Sequence, residues 1–227
     1  MIKSGSGRQY LIYAIGEIAL VVIGILIALQ INNWNENNNL IKAEKRILED
    51  LKNEINSEID LKVKFRERYQ SKVDTLSLAL DKLFSENESA LSNSECINVA
   101  MTHILNWEPP SVSTIEELIA SGKIDLINSE ELRKQIVLFR SISQSIELSV
   151  RRSIPEANVL VDLYPNLIVR RWDKEAQWST FECHLSAMKE NRAFLSHLQS
   201  NLGRTAGLVS SIDTIIEMLV EIQELID

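Results

Sequence analysis

The stretch YLIYAIGEIALVVIGILIALQI, residues 10–31, decides how the rest of the chain is read. Its 22 residues are interrupted by only two polar side chains, Glu17 and Gln30. At about 1.5 Å per residue a helix of this length spans roughly 33 Å, the hydrocarbon thickness of a bilayer. A transmembrane helix is therefore expected at residues 10–33, after a short tail, 1–9. A secretory signal would have a shorter apolar region, and Ala28-Leu29-Gln30 offers no small-x-small cleavage site.

Flanking charge sets the expected orientation. Lys3 and Arg8 precede the span, whereas Lys42, Lys45 and Arg46 follow only after Glu36 and a polar stretch. The closer positive charge at the N-terminal side favours an N-terminus inside. The chain is thus expected in the inner (cytoplasmic) membrane as a single-pass protein with a periplasmic C-terminal domain. NNWNENNN, residues 32–39, is rich in asparagine, and residues 34–39 read as a polar linker. Trp34 is expected at headgroup depth as an interfacial anchor.

Residues 40–227 then form one extramembrane domain. The whole chain carries a net charge of −8. Without the first 34 residues, which hold Lys3, Arg8 and Glu17, 22 basic and 31 acidic side chains leave −9. That balance argues against nucleic acid as a partner. Of the 7 glycines only Gly122, Gly203 and Gly207 fall in this domain, so hairpin turns should be scarce. The expectation is an all-α fold, one N-terminal transmembrane helix followed by an elongated antiparallel helical bundle.

Individual elements are legible within it. Apolar residues from Leu40 to Phe84, among them Leu48, Leu51, Ile55, Tyr69, Leu76, Leu80 and Leu83, recur at three- and four-residue steps. They predict a long amphipathic helix. A short helix is expected over Cys96–Asn106, before Trp107 and Pro109-Pro110. Ser113 with Glu116 reads as a capping box and Gly122 as the C-cap of the same helix. Asn128, with Glu131 three residues on, reads as the N-cap of a helix reaching Ser153. Residues 155–190 carry no clear period. Asn191 is expected to cap a final helix whose stripe runs through Phe194, Leu198, Leu202, Val209, Ile212, Ile216, Leu219, Ile222 and Ile226.

Glu17 lies seven residues from Gly24, with Ala14 and Ala28 in the same broad stripe. Small residues at such spacing let helix backbones approach closely in lipid, so Ala14, Glu17, Gly24 and Ala28 form the candidate helix–helix interface. A carboxylate at this depth should face protein or water. Three readings stand: a protonated Glu17 hydrogen-bonding across a homo-oligomer, a pairing with another membrane subunit, or a carboxylate ring lining a cation path.

Other candidate sites are few. Cys96 and Cys183 are either a disulfide suited to an oxidising compartment or two buried thiols. Arg151 and Arg152 with Arg170 and Arg171 would bind an anion or an acidic partner if they converged, and are otherwise ordinary exposed charges. His103, His184 and His197 lack zinc spacing, and no nucleophile elbow, phosphate loop or dinucleotide fingerprint is present. No catalytic or metal residue and no cofactor is expected.

The segments YLIYAIGEIALVVIGILIALQINNWNE and STIEELIASGKIDLINSEELRKQI resemble an uncharacterised family of single-pass bacterial membrane proteins, of the Bacteroidetes type and of unknown function. The resemblance implies an anchored helical domain and no stated activity. It places Gly16, Glu17, Gly24, Gln30, Asn32, Asn33, Trp34, Leu118, Ser121, Gly122, Leu132 and Arg133 at family-motif positions. The expected function is non-enzymatic: joining a homo-oligomer or another membrane subunit through the transmembrane helix, and presenting an acidic domain for protein contact. The alternative is a sensor or effector whose oligomeric anchor forms or gates a pore.

Overall fold

A computed structural model describes residues 6–86, 90–175 and 177–226; Met1–Gly5 of the expected tail lie outside them. The expected linker is not a break. One helix, α1 (Ser6–Phe84, 79 residues), runs from the apolar span through the asparagine cluster into the domain. Residues 32–39 contain no proline or glycine to interrupt the backbone ladder, so neighbouring helical turns propagate through them. The other helices are α2 (Asn93–Ala100), α3 (Ser113–Ser121), α4 (Glu130–Ser153), α5 (Leu160–Leu163), α6 (Leu185–Glu190) and α7 (Arg192–Ile226). A hairpin of β1 (Ile168–Asp173) and β2 (Trp178–Cys183) lies between α5 and α6. The fold is mostly helical with a long N-terminal apolar helix, so the all-α expectation holds approximately, and this small hairpin is the addition to it.

α1 and α7 run antiparallel and hold three apolar clusters in series. Nearest the apolar span, Leu51 and Ile55 meet Ile215, Leu219 and Ile222, together with Ile115 and Leu118 of α3 and Leu132, Ile136 and Phe139 of α4. Midway, Tyr69 meets Leu208, Val209 and Ile212. At the far end, Leu76, Leu80 and Leu83 pack with Phe194 and Leu198, Val99 of α2, Leu160 of α5 and Ile168 of β1.

Polar groups of α1 organise the chain laid against it. Lys62 is only 2% exposed; its Nζ pairs with Glu58 at 3.0 Å. It also donates to the Glu108 carbonyl at 2.8 Å and lies near the Phe65 and Trp107 rings. The Tyr69 hydroxyl accepts from Asn106 N–H and donates to its carbonyl, both at 2.7 Å. Lys72 donates to the carbonyls of Met101 and Ile104 at 2.8 and 3.0 Å. These partners satisfy an irregular backbone. They explain why α2 stops at Ala100 rather than at Asn106.

Two caps differ from expectation for a related reason. Val112 precedes α3 without a side-chain cap. The Glu54 carboxylate of α1 instead accepts from the Ser113 hydroxyl at 2.6 Å, from Thr114 N–H at 2.9 Å and from the Thr114 hydroxyl, while Glu116 pairs with Arg140. Burial raises the Glu54 pKa, but those hydrogen bonds outweigh it and leave the pKa lowered. At α4 the cap is Ser129, accepting from Leu132 N–H; Asn128 is held by Glu44 through both its N–H and its side-chain amide. Gly122 ends α3 at φ 69°, the left-handed conformation glycine adopts without penalty. Asn191 Oδ1 accepts from Phe194 N–H at the start of α7.

Candidate functional site

The residues expected to form the membrane interface, Ala14, Glu17, Gly24 and Ala28, are all exposed on α1, as is Trp34. A side chain added at Gly24 would meet nothing within 4 Å, so the face is open in the single chain. Cys96 of α2 and Cys183 of β2 form a disulfide, with Cα atoms 5.8 Å apart.

The arginines do not share a site in the contacts they make. Arg151 pairs with Glu147 one turn back in α4, Arg170 with Asp162 and Arg171 with Glu182. Arg152 borders a shallow surface with Ser149 and Glu156. Each of the three ion pairs is exposed, so its charge is answered locally and screened by water.

A cleft unforeseen in the sequence lies beside the disulfide. It encloses about 280 Å³ between the end of α2, Val161 of α5 and the hairpin. Antiparallel pairing sets Arg170 opposite Phe181 and Trp172 opposite Ser179. Since alternate residues share a face, these four side chains line the cleft together. Trp178, at the end of the ladder, joins them, and Met101, His103 and Ile104 supply the opposite wall. Trp172 and Trp178 are 64% and 54% exposed. The turn between them is closed by Asp173, whose carboxylate accepts from Glu175 N–H.

Burial pushes the His103 pKa down, and the nearby Lys72 ammonium pushes the same way; Asp162 and the Ala100 carbonyl only partly oppose them. The imidazole is therefore neutral at pH 7. Burial likewise holds Lys72 at about 8. Among the described residues no group of three or more His, Cys, Asp or Glu is arranged to hold a metal ion.

The cleft was hidden because β-strand pattern at 168–173 and 178–183 is short and its outer face is charged. The signal passed over is the pair of β-branched and aromatic runs, IVRRW and WSTF, either side of polar DKEAQ.

Residues 17–143 match the model of a family of unknown function, DUF6090. The chain belongs to this family. The match begins within the apolar span and ends in α4, so the hairpin and its cleft lie beyond it. No curated protein and no solved structure matches the chain.

Proposed function

We propose that this DUF6090 member is a non-enzymatic, single-pass protein of the inner membrane. In this reading its transmembrane helices associate through Ala14, Glu17, Gly24 and Ala28, and its domain projects into the periplasm for protein contact. The anchor sequence would then be a recognition element of the Bacteroidetes-type family, and not merely a tether. A disulfide between Cys96 and Cys183 fits an oxidising compartment.

The continuity of α1 carries this reading. An unbroken helix turns about 100° per residue, so the phase of the membrane face can be followed into the domain. Relative to Glu17, Gly24 and Ala28 lie within about 20° and Ala14 within about 60°. Leu51, Ile55, Glu58 and Lys62, which α1 buries in its own domain, fall within about 40° of the opposite side. The Glu17 side emerges as Asn35, Lys42, Arg46, Glu49 and Asn53, all exposed. Two copies joined on the Glu17 face would hold their α1 helices together with their domains facing outward. The mixed charges on that polar stripe give little driving force above the membrane, which leaves association to the span.

The test is the mass and composition of the gently extracted full-length protein, wild type beside Glu17→Ala. Single cysteines at Lys42 and Leu40, on near and far sides of α1, supply a geometric check. A homo-oligomer, or a stoichiometric complex with a second membrane protein, that dissociates in the variant supports the proposal. In a homo-oligomer, crosslinking is expected at residue 42 and not at 40. A monomer unaffected by the substitution refutes the proposal.

A further inference from the structure

The hairpin cleft lies far from the membrane. Its wall is pinned to α1 at Lys72, about 41 residues beyond Ile31, or roughly 60 Å along the helix. It is a concavity lined mainly by Met101, Ile104, Trp172, Trp178 and Phe181. Exposed tryptophans on a small hairpin are costly surface unless something covers them. Three features make the arrangement a built site. The disulfide from α2 to β2 fixes the two walls, Ile168 at the hairpin base is buried in the distal core, and Asn201 holds the neighbouring backbone. Asn201 is fully buried, and its amide donates to Thr102 Oγ1 and to the Asn158 carbonyl at 2.8 and 2.7 Å.

Charge selects the ligand. An aromatic-walled pocket could hold a cation, but such a pocket is normally aided by a carboxylate. Here no carboxylate lines the cleft among the described residues. The one charged lining group is Arg170, whose Nη2 donates to Asp162 at 3.1 Å at the margin. Its other N–H groups are additional donors in a planar fork that matches a carboxylate. His103 adds a neutral ring, and the Lys72 ammonium is near enough to be felt by it. Asp162 answers part of the Arg170 charge from outside the cleft, and Arg170 remains the one charged side chain on its lining among the described residues. The cleft volume of about 280 Å³ lies just below the usual range of ligand pockets, which suits a ligand smaller than a typical drug.

We propose that the cleft binds a small apolar carboxylate, its hydrocarbon or aromatic part between Trp172, Trp178 and Met101 and its carboxylate on Arg170. The acid is either a free small molecule or the carboxyl end of a peptide. This assignment does not depend on how the anchor associates.

The test is calorimetric titration of the full chain in nanodiscs, with its disulfide intact and empty discs subtracted. The probes are 3-phenylpropionate, 3-phenylpropan-1-ol, 3-phenylpropylammonium and Ala-Ala-Phe with free or amidated C-terminus. The carboxylate is expected to bind one per chain and about tenfold or more tighter than the alcohol, a gap set by a charge-assisted contact. Tighter binding of the free-ended peptide than of its amide and of phenylpropionate assigns the chain end as the source. Tighter binding of phenylpropionate assigns a free acid. Both Trp172 and Arg170 are exposed, so their variants should fold. Arg170→Gln is expected to close most of the acid–alcohol gap, and Trp172→Ala to weaken every probe. Saturable binding by no probe, equal affinity for acid and alcohol, preference for the ammonium, or indifference to Trp172→Ala would each overturn the proposal.

Discussion

Replacing Cys96 and Cys183 together by alanine asks how much of the distal end depends on one covalent link. The bond joins residues 87 apart and closes a loop that contains α3, α4, α5 and β1. In the chain-entropy treatment a loop of this length restricts the unfolded ensemble by about 4.5 kcal/mol at 25 °C, an upper value because residual structure in the unfolded chain lowers it. The effect should also be local. A two-stranded hairpin is marginal by itself, and β2 is bonded directly to α2 through Cys183. Urea unfolding of the full chain in nanodiscs, followed by circular dichroism, should show a loss of about 3–4.5 kcal/mol, or a midpoint lower by roughly 2 M for a slope near 2 kcal/mol/M. Hydrogen exchange should rise most in residues 168–183, and probe binding at the cleft should weaken in parallel. A double variant within about 1 kcal/mol of wild type, with hairpin protection unchanged, would refute this reasoning, because packing alone would then hold the hairpin.

Other perturbations follow from the polar groups of α1. Lys62→Ala should cost about 3–5 kcal/mol by leaving Glu58 buried without its partner. The double change Glu58→Leu with Lys62→Met should recover a large part of that loss in the same unfolding measurement. Glu54→Ala, which removes the carboxylate held by Ser113 and Thr114, should cost about 1 kcal/mol, typical of a lost helix cap. Because the folded pKa of Glu54 is lowered, its contribution is complete above the unfolded value of 4.5 and is lost as pH falls through the folded value. Glu54→Gln should flatten that acid limb in pH-dependent melts. Lys72 runs the other way: burial holds its folded pKa at about 8, below the ordinary lysine value of 10.5, so the native state sheds its proton first as pH rises. Wild type should gain stability relative to Lys72→Met between pH 8 and 10.5, and parallel melts across that window would contradict the assignment.

The sequence by itself determined the elements whose signals are local. Twenty-two nearly continuous apolar residues marked a helix long and apolar enough to cross a membrane, where only an internally hydrogen-bonded backbone would be tolerated. Gly122 marked a left-handed C-cap, and the stripes ending at Phe84 and beginning at Phe194 marked α1 and α7, since burial on one face imposes a 3.6-residue period. The tertiary structure decided what depends on residues distant in sequence. Ser113 and Glu116 had the spacing of a capping box, yet Glu54, 59 residues away, took the Ser113 hydroxyl. The helix expected to reach Asn106 ended early because Tyr69 and Lys72 satisfied the carbonyls beyond Ala100. Residues 168–183 pair as strands only where α2, α5 and a disulfide supply the surface and the tether that a six-residue strand lacks. The Trp172 and Trp178 cleft exists for the same reason, since its two walls are separated along the chain by more than sixty residues and meet only after the bundle has formed.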